Sequence, residues 1–310
     1  METELKSIVV EGKHYEIIKE LSYKGCHPIK KVRNCENNEI FVCKSEPKKS
    51  IIRSQFQLKN EYEIYKYIHK DGKANQNGIP LIFGFESNEI GDIMIMQELG
   101  LSIKKVFEMS KHKFSLKSVV KLAIQMISLL EYVHSLGLIH RDLSPDNFVF
   151  GANEEWNKLY LIDFGLSHSY LKDNVSGEHI PFKEGVGFCG TPRFAGKWSL
   201  AGLEQCRRED LESLSYILIY LLKGALPWDE KLQSCDFYDL ACIKGHTKSN
   251  ELIGESPKEF QTLLEHSLNL CFKVKPDYNY LKTLFHELFL KCGFIEDDDY
   301  EWNPKYINEI

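Results

Sequence analysis

Two short runs constrain this 310-residue chain more than anything else in it: Ile139-His140-Arg141-Asp142-Leu143-Ser144-Pro145-Asp146-Asn147 and, after it, Ile162-Asp163-Phe164-Gly165. Either alone reads as an ordinary loop, because Asp and Asn are favoured turn residues. Both together, in this order and downstream of an amphipathic stretch, describe one chemical arrangement. Asp142 is a carboxylate able to orient and deprotonate a hydroxyl. Asn147 and Asp163 supply hard oxygens of the kind Mg²⁺ takes alongside phosphate oxygens. Phosphoryl transfer asks for little more than this, since the protein contributes position and charge rather than covalent chemistry.

The hydrophobic pattern divides the chain around these runs. Up to about residue 100, short β-like runs (residues 15–18, 40–44, 80–85 and 92–96) alternate with charged turns. One stretch differs. Between Phe56 and His69, apolar residues recur at Leu58, Tyr62, Tyr65 and Ile68, steps of three and four that predict a helix buried on one face. Beyond Gly100 the chain reads as helical. Residues 115–138 place Val119, Leu122, Met126, Leu130 and Val133 on one stripe, with Lys121, Gln125 and Glu131 off it and Ser115 placed to cap the start. Residues 209–222 and 257–270 read as further helices. A small β-rich lobe with one main helix, followed without a long linker by a larger α-helical lobe, predicts an α+β bilobal unit with a cleft between the lobes.

Composition narrows the partners. The chain is 43% apolar and 27% charged, which supports a sizeable core, and its net charge of −6 argues against a nucleic-acid coat. An acidic substrate would need a local basic pocket, because the global field repels it. The nine cysteines are scattered with no CxxC pair, as expected of reduced thiols inside a cell rather than a disulfide frame. The opening residues carry no apolar run, so no secretory signal is expected. The longest apolar stretch, Tyr216 to Leu222, is far below the roughly 20 residues that span a bilayer. No membrane partner is expected.

The two runs resemble the H-R-D-x-x-x-x-N catalytic loop and the D-F-G metal motif of protein kinases. Ile40-Phe41-Val42-Cys43-Lys44 resembles the strand that carries the phosphate-binding lysine, which makes Lys44 the candidate and Glu61, inside the predicted helix, its partner. Met96 followed by Gln97-Glu98-Leu99-Gly100 resembles the gatekeeper and hinge, where adenine bonds to backbone groups. Lys113-Phe114-Ser115-Leu116-Lys117, the block from Gly202 to Leu214, Leu226-Pro227-Trp228, and Lys275-Pro276-Asp277-Tyr278 resemble the casein kinase 1 family. So does Gly190-Thr191-Pro192-Arg193-Phe194-Ala195, with no A-P-E motif after it.

The resemblance implies one kinase domain over residues 1–310, with an N-lobe to about 96, a hinge at 97–100 and a C-lobe from 101. It implies ATP and Mg²⁺ as cofactors and protein Ser or Thr hydroxyls as acceptors, near acidic or phosphorylated residues. It also implies a monomer inside the cell, cytoplasmic or nuclear. By the same resemblance Thr191 bonds near Asp142, Arg193 binds a substrate anion, and a buried Asp210 anchors the catalytic loop.

Three departures accompany the resemblance. The glycines that cover the phosphates in kinases are absent: the corresponding positions are Ser22, Lys24, His27 and Ile29, with an off-register Gly25. Lys24 or His27 is the candidate for compensating contacts; a solvated turn that touches no nucleotide is the alternative. The lysine two residues after the catalytic aspartate is Ser144. The stretch after Trp228, Asp229 to Tyr238, is not basic where the family carries basic residues. An active Ser/Thr kinase is therefore the expectation, with a weak or inactive pseudokinase scaffold as the alternative.

Overall fold

Alternation along the strands sets the architecture of the first lobe. The computed structural model describes residues 7–24, 27–48, 57–173 and 176–307. Phe56 and Gly25 lie outside these, as do the side chains of Ser22, Lys24 and His27. Among the described residues six strands form one antiparallel sheet in the order β1-β2-β3-β4-β6-β5. They are β1 (Ser7–Val10), β2 (Lys13–Lys24), β3 (His27–Asn34), β4 (Ile40–Pro47), β5 (Ile82–Ser87) and β6 (Gly91–Gln97). Because successive side chains point to opposite faces, Phe41 and Cys43 of β4 join Val10, Tyr15, Val32 and Ile95 in a core on one side of the sheet. Val42 and Lys44 face the other way, into the cleft.

The predicted helix is α1 (Gln57–Ile68), continued by a 3₁₀ turn, His69–Asp71. Leu58, Glu61, Tyr65 and Ile68 are buried, and Tyr62 stacks on Phe85 at 4.3 Å. Glu61 is the one charge on that buried face. The start of α1 is tied to the sheet, since the Leu58 N–H donates to Glu46 Oε2 at the end of β4 (2.8 Å).

The second lobe begins with α2 (Ile103–Met109) and α3 (Leu116–Ser135). Ser115 caps α3 by accepting from the Ser118 N–H, and the whole predicted stripe from Val119 to Val133 is fully buried. Each such side chain contributes about 1.5–3 kcal/mol. Four short strands then follow: β7 (Leu138–Ile139), β8 (Phe148–Phe150), β9 (Leu159–Leu161) and β10 (His168–Ser169). The remaining helices are α4 (Lys197–Leu200), α5 (Arg207–Lys223), α6 (Phe237–His246), α7 (Ser249–Ile253), α8 (Lys258–Asn269), α9 (Tyr278–Lys291) and α10 (Pro304–Ile307). Helix α5 contains the apolar run predicted to be buried, Tyr216 to Leu222; it packs against α3 and α8, and α3 also packs against α9. One apolar cluster runs from Leu58 and Tyr65 in the first lobe to Trp302 in the second. No described helix is long and apolar enough to cross a membrane.

The four short strands position the chemistry. The catalytic run joins β7 to β8, and the Asp163 run joins β9 to β10. Pairing of β7 with β10 and of β8 with β9 brings both loops side by side. The Ile162 N–H donates to the Asn147 carbonyl (2.9 Å), so the two oxygen-bearing loops are stapled by backbone.

Candidate active site

A cleft of about 650 Å³ opens between the lobes. Ile29, Val42 and Met96 from the sheet and Val149 and Ile162 from beneath give it apolar walls, the surroundings a flat heterocycle needs. Gln97 and Leu99 of the predicted hinge line it, as do Lys44, Glu61 and Asp163. The Glu98 side chain instead pairs with Lys31 at 2.5 Å. The Gln97 side chain accepts from Asn75 Nδ2 (2.7 Å) and the Leu81 N–H (3.1 Å), which fixes the end of β6. Lys19 and Leu21 of β2 and Ile29 of β3 line this cleft, and farther along the hairpin Lys24 lies opposite His27.

Lys44 donates to Glu61 Oε2 at 2.6 Å and to Asp163 Oδ1 at 2.9 Å. Lys44 and Glu61 are buried. Burial pushes the ammonium down, but Asp163 and Glu61 more than reverse this and hold it protonated well above the usual lysine value. Removing either partner of so buried a pair costs about 3–5 kcal/mol. The lysine that sequence singled out is therefore fixed in place as a cation, beside the carboxylate meant for a metal.

Asp163 has φ 69°, in the left-handed region, and the next residues form the 3₁₀ turn Phe164–Leu166. Phe164 is fully buried between Tyr65 of α1 (ring centroids 5.2 Å apart) and His140 (5.1 Å). Gly165 lets α1 come close: a Cβ there would meet Gln57 Cγ at 2.9 Å, and Asn60 Nδ2 donates to the Gly165 carbonyl (3.1 Å). The helix that presents Glu61 and the turn that presents Asp163 are thus one packed unit.

The catalytic loop is anchored from below. Asp210, near the start of α5, accepts from the His140 N–H (2.7 Å), the Arg141 N–H (3.0 Å) and His134 Nε2 (2.9 Å). Burial alone would push its carboxyl up; the hydrogen bonds from His134 and from the His140 backbone outweigh that and hold it below the usual value. These bonds also hold Arg141 at φ 70°, a conformation costing about 1–3 kcal/mol in a non-glycine residue. His140 Nε2 lies 3.0 Å from the Ile162 carbonyl and Nδ1 accepts from the Asp142 N–H (3.3 Å), a pairing that one tautomer satisfies.

Asp142 itself accepts from Thr191 Oγ1 at 2.6 Å, as the resemblance leads one to expect. This approach depends on Gly190, with φ 111°, where a Cβ would lie 2.6 Å from the Arg141 carbonyl. Asn147 Nδ2 donates to the Asp142 carbonyl (2.7 Å), so the other end of that amide is the oxygen. Asn147 and Asp163 fit a Mg²⁺ ion bound to a triphosphate. Among the described residues no group of three or more His, Cys, Asp or Glu side chains gathers to cage a metal, and Mg²⁺ binds through one or two protein oxygens plus phosphate and water.

Some predicted roles look different in the fold. Ser144 is buried and carries no charge toward the cleft. Arg193 lies 3.0 Å from Asp229 Oδ1 and over the ring of Tyr220, so its charge is already met from within the chain. Lys19, Lys104 and Lys105 line the cleft and were not singled out in the sequence. Their only signal is the fold: the Lys104 N–H donates to the Pro145 carbonyl (3.0 Å), which sets α2 on the catalytic loop, and its side chain pairs with Asp146 (3.1 Å).

Comparison with known families agrees with this geometry. The family model described as protein kinase domain matches residues 25–281, most of the chain, with Lys44, Glu61, Asp142, Asn147 and Asp163 all inside the match. With a β-rich first lobe, a helical second lobe and this constellation in the cleft between them, the chain belongs to the protein kinase family.

Proposed function

We propose that the chain is an active Ser/Thr protein kinase of the casein kinase 1 type, moving the γ-phosphate of ATP onto Ser or Thr hydroxyls of proteins. The observation that carries this reading is the 2.6 Å contact of Thr191 with Asp142, formed while Lys44 bridges Glu61 and Asp163. Mg²⁺ bound to ATP would supply charge neutralisation on the phosphates. Asp142 would orient the acceptor hydroxyl and take its proton, Lys44 would hold the phosphates beyond the cleft walls, and Asn147 and Asp163 would hold the metal. The reading places a monomer inside the cell, acting on protein substrates. A preference for acidic or phosphorylated neighbours would have to draw Arg193 away from Asp229.

A second reading, a nucleotide-binding scaffold without transfer, is favoured by Ser144, since a neutral hydroxyl replaces the cation expected beside the transferring phosphate. One experiment decides between them. The purified chain is incubated with Mg²⁺, labelled ATP, and casein or acidic peptides, beside Asp142→Asn. Label transfer that disappears in Asp142→Asn supports the kinase; nucleotide binding with no transfer supports the scaffold.

A further inference from the structure

Apart from Lys44, one lysine is buried among the described residues: Lys244 of α6, 4% exposed. A buried cation usually leans on a carboxylate at contact distance. Lys244 instead gives its three N–H donors to backbone carbonyls, those of Pro192 (3.0 Å), Arg193 (2.9 Å) and Ala195 (2.7 Å). Its ammonium also lies 4.6 Å from the ring centroid of Trp228 and 4.8 Å from that of Tyr216.

These carbonyls belong to the residues that follow Thr191. The Phe194 and Ala195 N–H groups both donate back to the Thr191 carbonyl at 3.0 Å. Trp228 Nε1 shares the Arg193 carbonyl (2.8 Å), and the Lys197 N–H donates to Glu212 Oε1 (2.9 Å). The strip from 191 to 197 is therefore held at one end by Asp142, in the middle by Lys244 and at the far end by Glu212. Loosening the middle frees the turn that presents Thr191 to Asp142.

We propose that Lys244 is a positioning residue for protein substrates, fixing the strip after Thr191 so that Thr191 meets Asp142 and an acceptor peptide finds a preformed surface. The proposal deepens the Ser/Thr kinase reading and rests on it. The groups that face Lys244 are Glu212 and Tyr216 of α5 and Asp229 with its partner Arg193, which itself lies over Tyr220, while Lys197 at the head of α4 lies near the adjoining Gly245. Burial lowers the ammonium to about 7, against the pull of Glu212 and Asp229. The neutral amine has two N–H donors for three carbonyls, so one carbonyl is released as pH rises through that value.

The two consequences of this titration have opposite signs. Between about 7 and the unfolded lysine value of about 10.4, the unfolded chain carries a proton that the folded chain lacks, so this group's contribution to stability rises with pH. Substrate positioning falls as pH rises through about 7, at the lower end of that window. A residue that merely held the fold together would move activity and stability in the same direction.

Hydrogen exchange and kinetics on Lys244→Met test this. In the variant, exchange in residues 190–197 should quicken about tenfold and the KM for a peptide should rise about tenfold, the cost of leaving buried carbonyls unpaired. Exchange in α3 and the KM for ATP should stay put. In the unmodified chain the peptide KM should rise severalfold from pH 6.5 to 8.5, and Lys244→Met should flatten that profile. A folded Lys244→Met with unchanged exchange and peptide KM overturns the proposal, as does exchange that quickens in α3 as much as in 190–197. Should Lys244→Met not fold, the unmodified chain decides: exchange of 190–197 relative to α3, corrected for intrinsic pH dependence, must rise with pH, and a flat ratio overturns it. If no transfer is lost in Asp142→Asn, the kinase reading fails by itself, and the exchange arm still judges Lys244.

Discussion

Ser144 and Asp229 are two side chains where this chain departs from the family it resembles. Ser144 stands where a lysine is expected to meet the charge that builds on the transferring phosphate. Losing one preorganised donor costs other enzymes about 10²–10³ in turnover. Ser144→Lys should therefore raise kcat by at least about tenfold, read as initial rates on casein at saturating ATP. No increase in a folded variant would mean that Lys104, already in the cleft beside the catalytic loop, supplies the charge. Asp229 occupies Arg193 from inside the chain, in a half-exposed ion pair worth about 0–1 kcal/mol. Asp229→Asn removes the competing charge and keeps an oxygen for the Leu226 N–H, which Asp229 now accepts at 3.0 Å. The ratio of kcat/KM for an acidic over a neutral peptide should rise about fivefold; an unchanged ratio would show that Arg193 does not read the substrate. At this scale the sequence was most informative. Asp142, Asn147 and Asp163 are recognisable because phosphoryl transfer leaves few alternatives to those groups in that order; Lys44 and Glu61 follow from family resemblance. Lys19, Lys104 and Lys244 were not recognisable, because a lysine's burial or convergence on a cleft depends on tertiary contacts.

Elements were legible in proportion to the strength of their periodicity. The α3 stripe follows a 3.6-residue repeat over five buried side chains, and the helix forms within a few residues of its predicted ends. Strand β3, His27–Asn34, was not anticipated: Val32 is its one fully buried apolar residue, amid Lys30, Lys31 and Arg33. Strand β1 has four residues, too few for alternation to show. The left-handed turn at Asp163 was hidden as well, since a single non-glycine residue in that region leaves no periodicity in the sequence. The junction of α1 with that turn yields a prediction. Gly165→Ala places a methyl 2.9 Å from Gln57 Cγ, so the flexible Gln57 side chain at the head of α1 must swing aside. Turnover should fall by no more than a few-fold, because a flexible side chain gives way at or below the low end of the roughly 1–3 kcal/mol that overpacking a core costs. Thermal stability should drop less than activity does, because the rest of the core is untouched. Equal losses in both, measured by kinase assay and thermal melt, would place the effect in global folding instead.

For the molecule as a whole, the helical lobe holds the catalytic loop through one buried carboxylate. Asp210 gathers His134 of α3, itself in contact with Tyr278 of α9 at 2.5 Å, and the backbone of His140 and Arg141. Three helices and the loop that carries Asp142 thus share a single hub, which sequence spacing could suggest only through family resemblance. Asp210→Asn keeps the shape but turns an amide toward donors that need an acceptor, a mismatch worth about 1–3 kcal/mol. The melting temperature near neutral pH should fall by about 2–8 °C, and Asp142-dependent turnover should fall with it as Arg141 leaves its left-handed backbone. The pH dependence has a definite sign. Asp210 is held below its ordinary value in the fold, so its stabilisation is fully present above the unfolded aspartate value of about 3.9. It is lost as pH drops through the lower folded value. The gap in melting temperature between the unmodified chain and Asp210→Asn should be constant from pH 5 to 8 and close as the medium is acidified below about 3.9. A gap that persists undiminished in acid would mean that the hub works by shape alone, and that the charge on Asp210 contributes nothing to holding the catalytic loop.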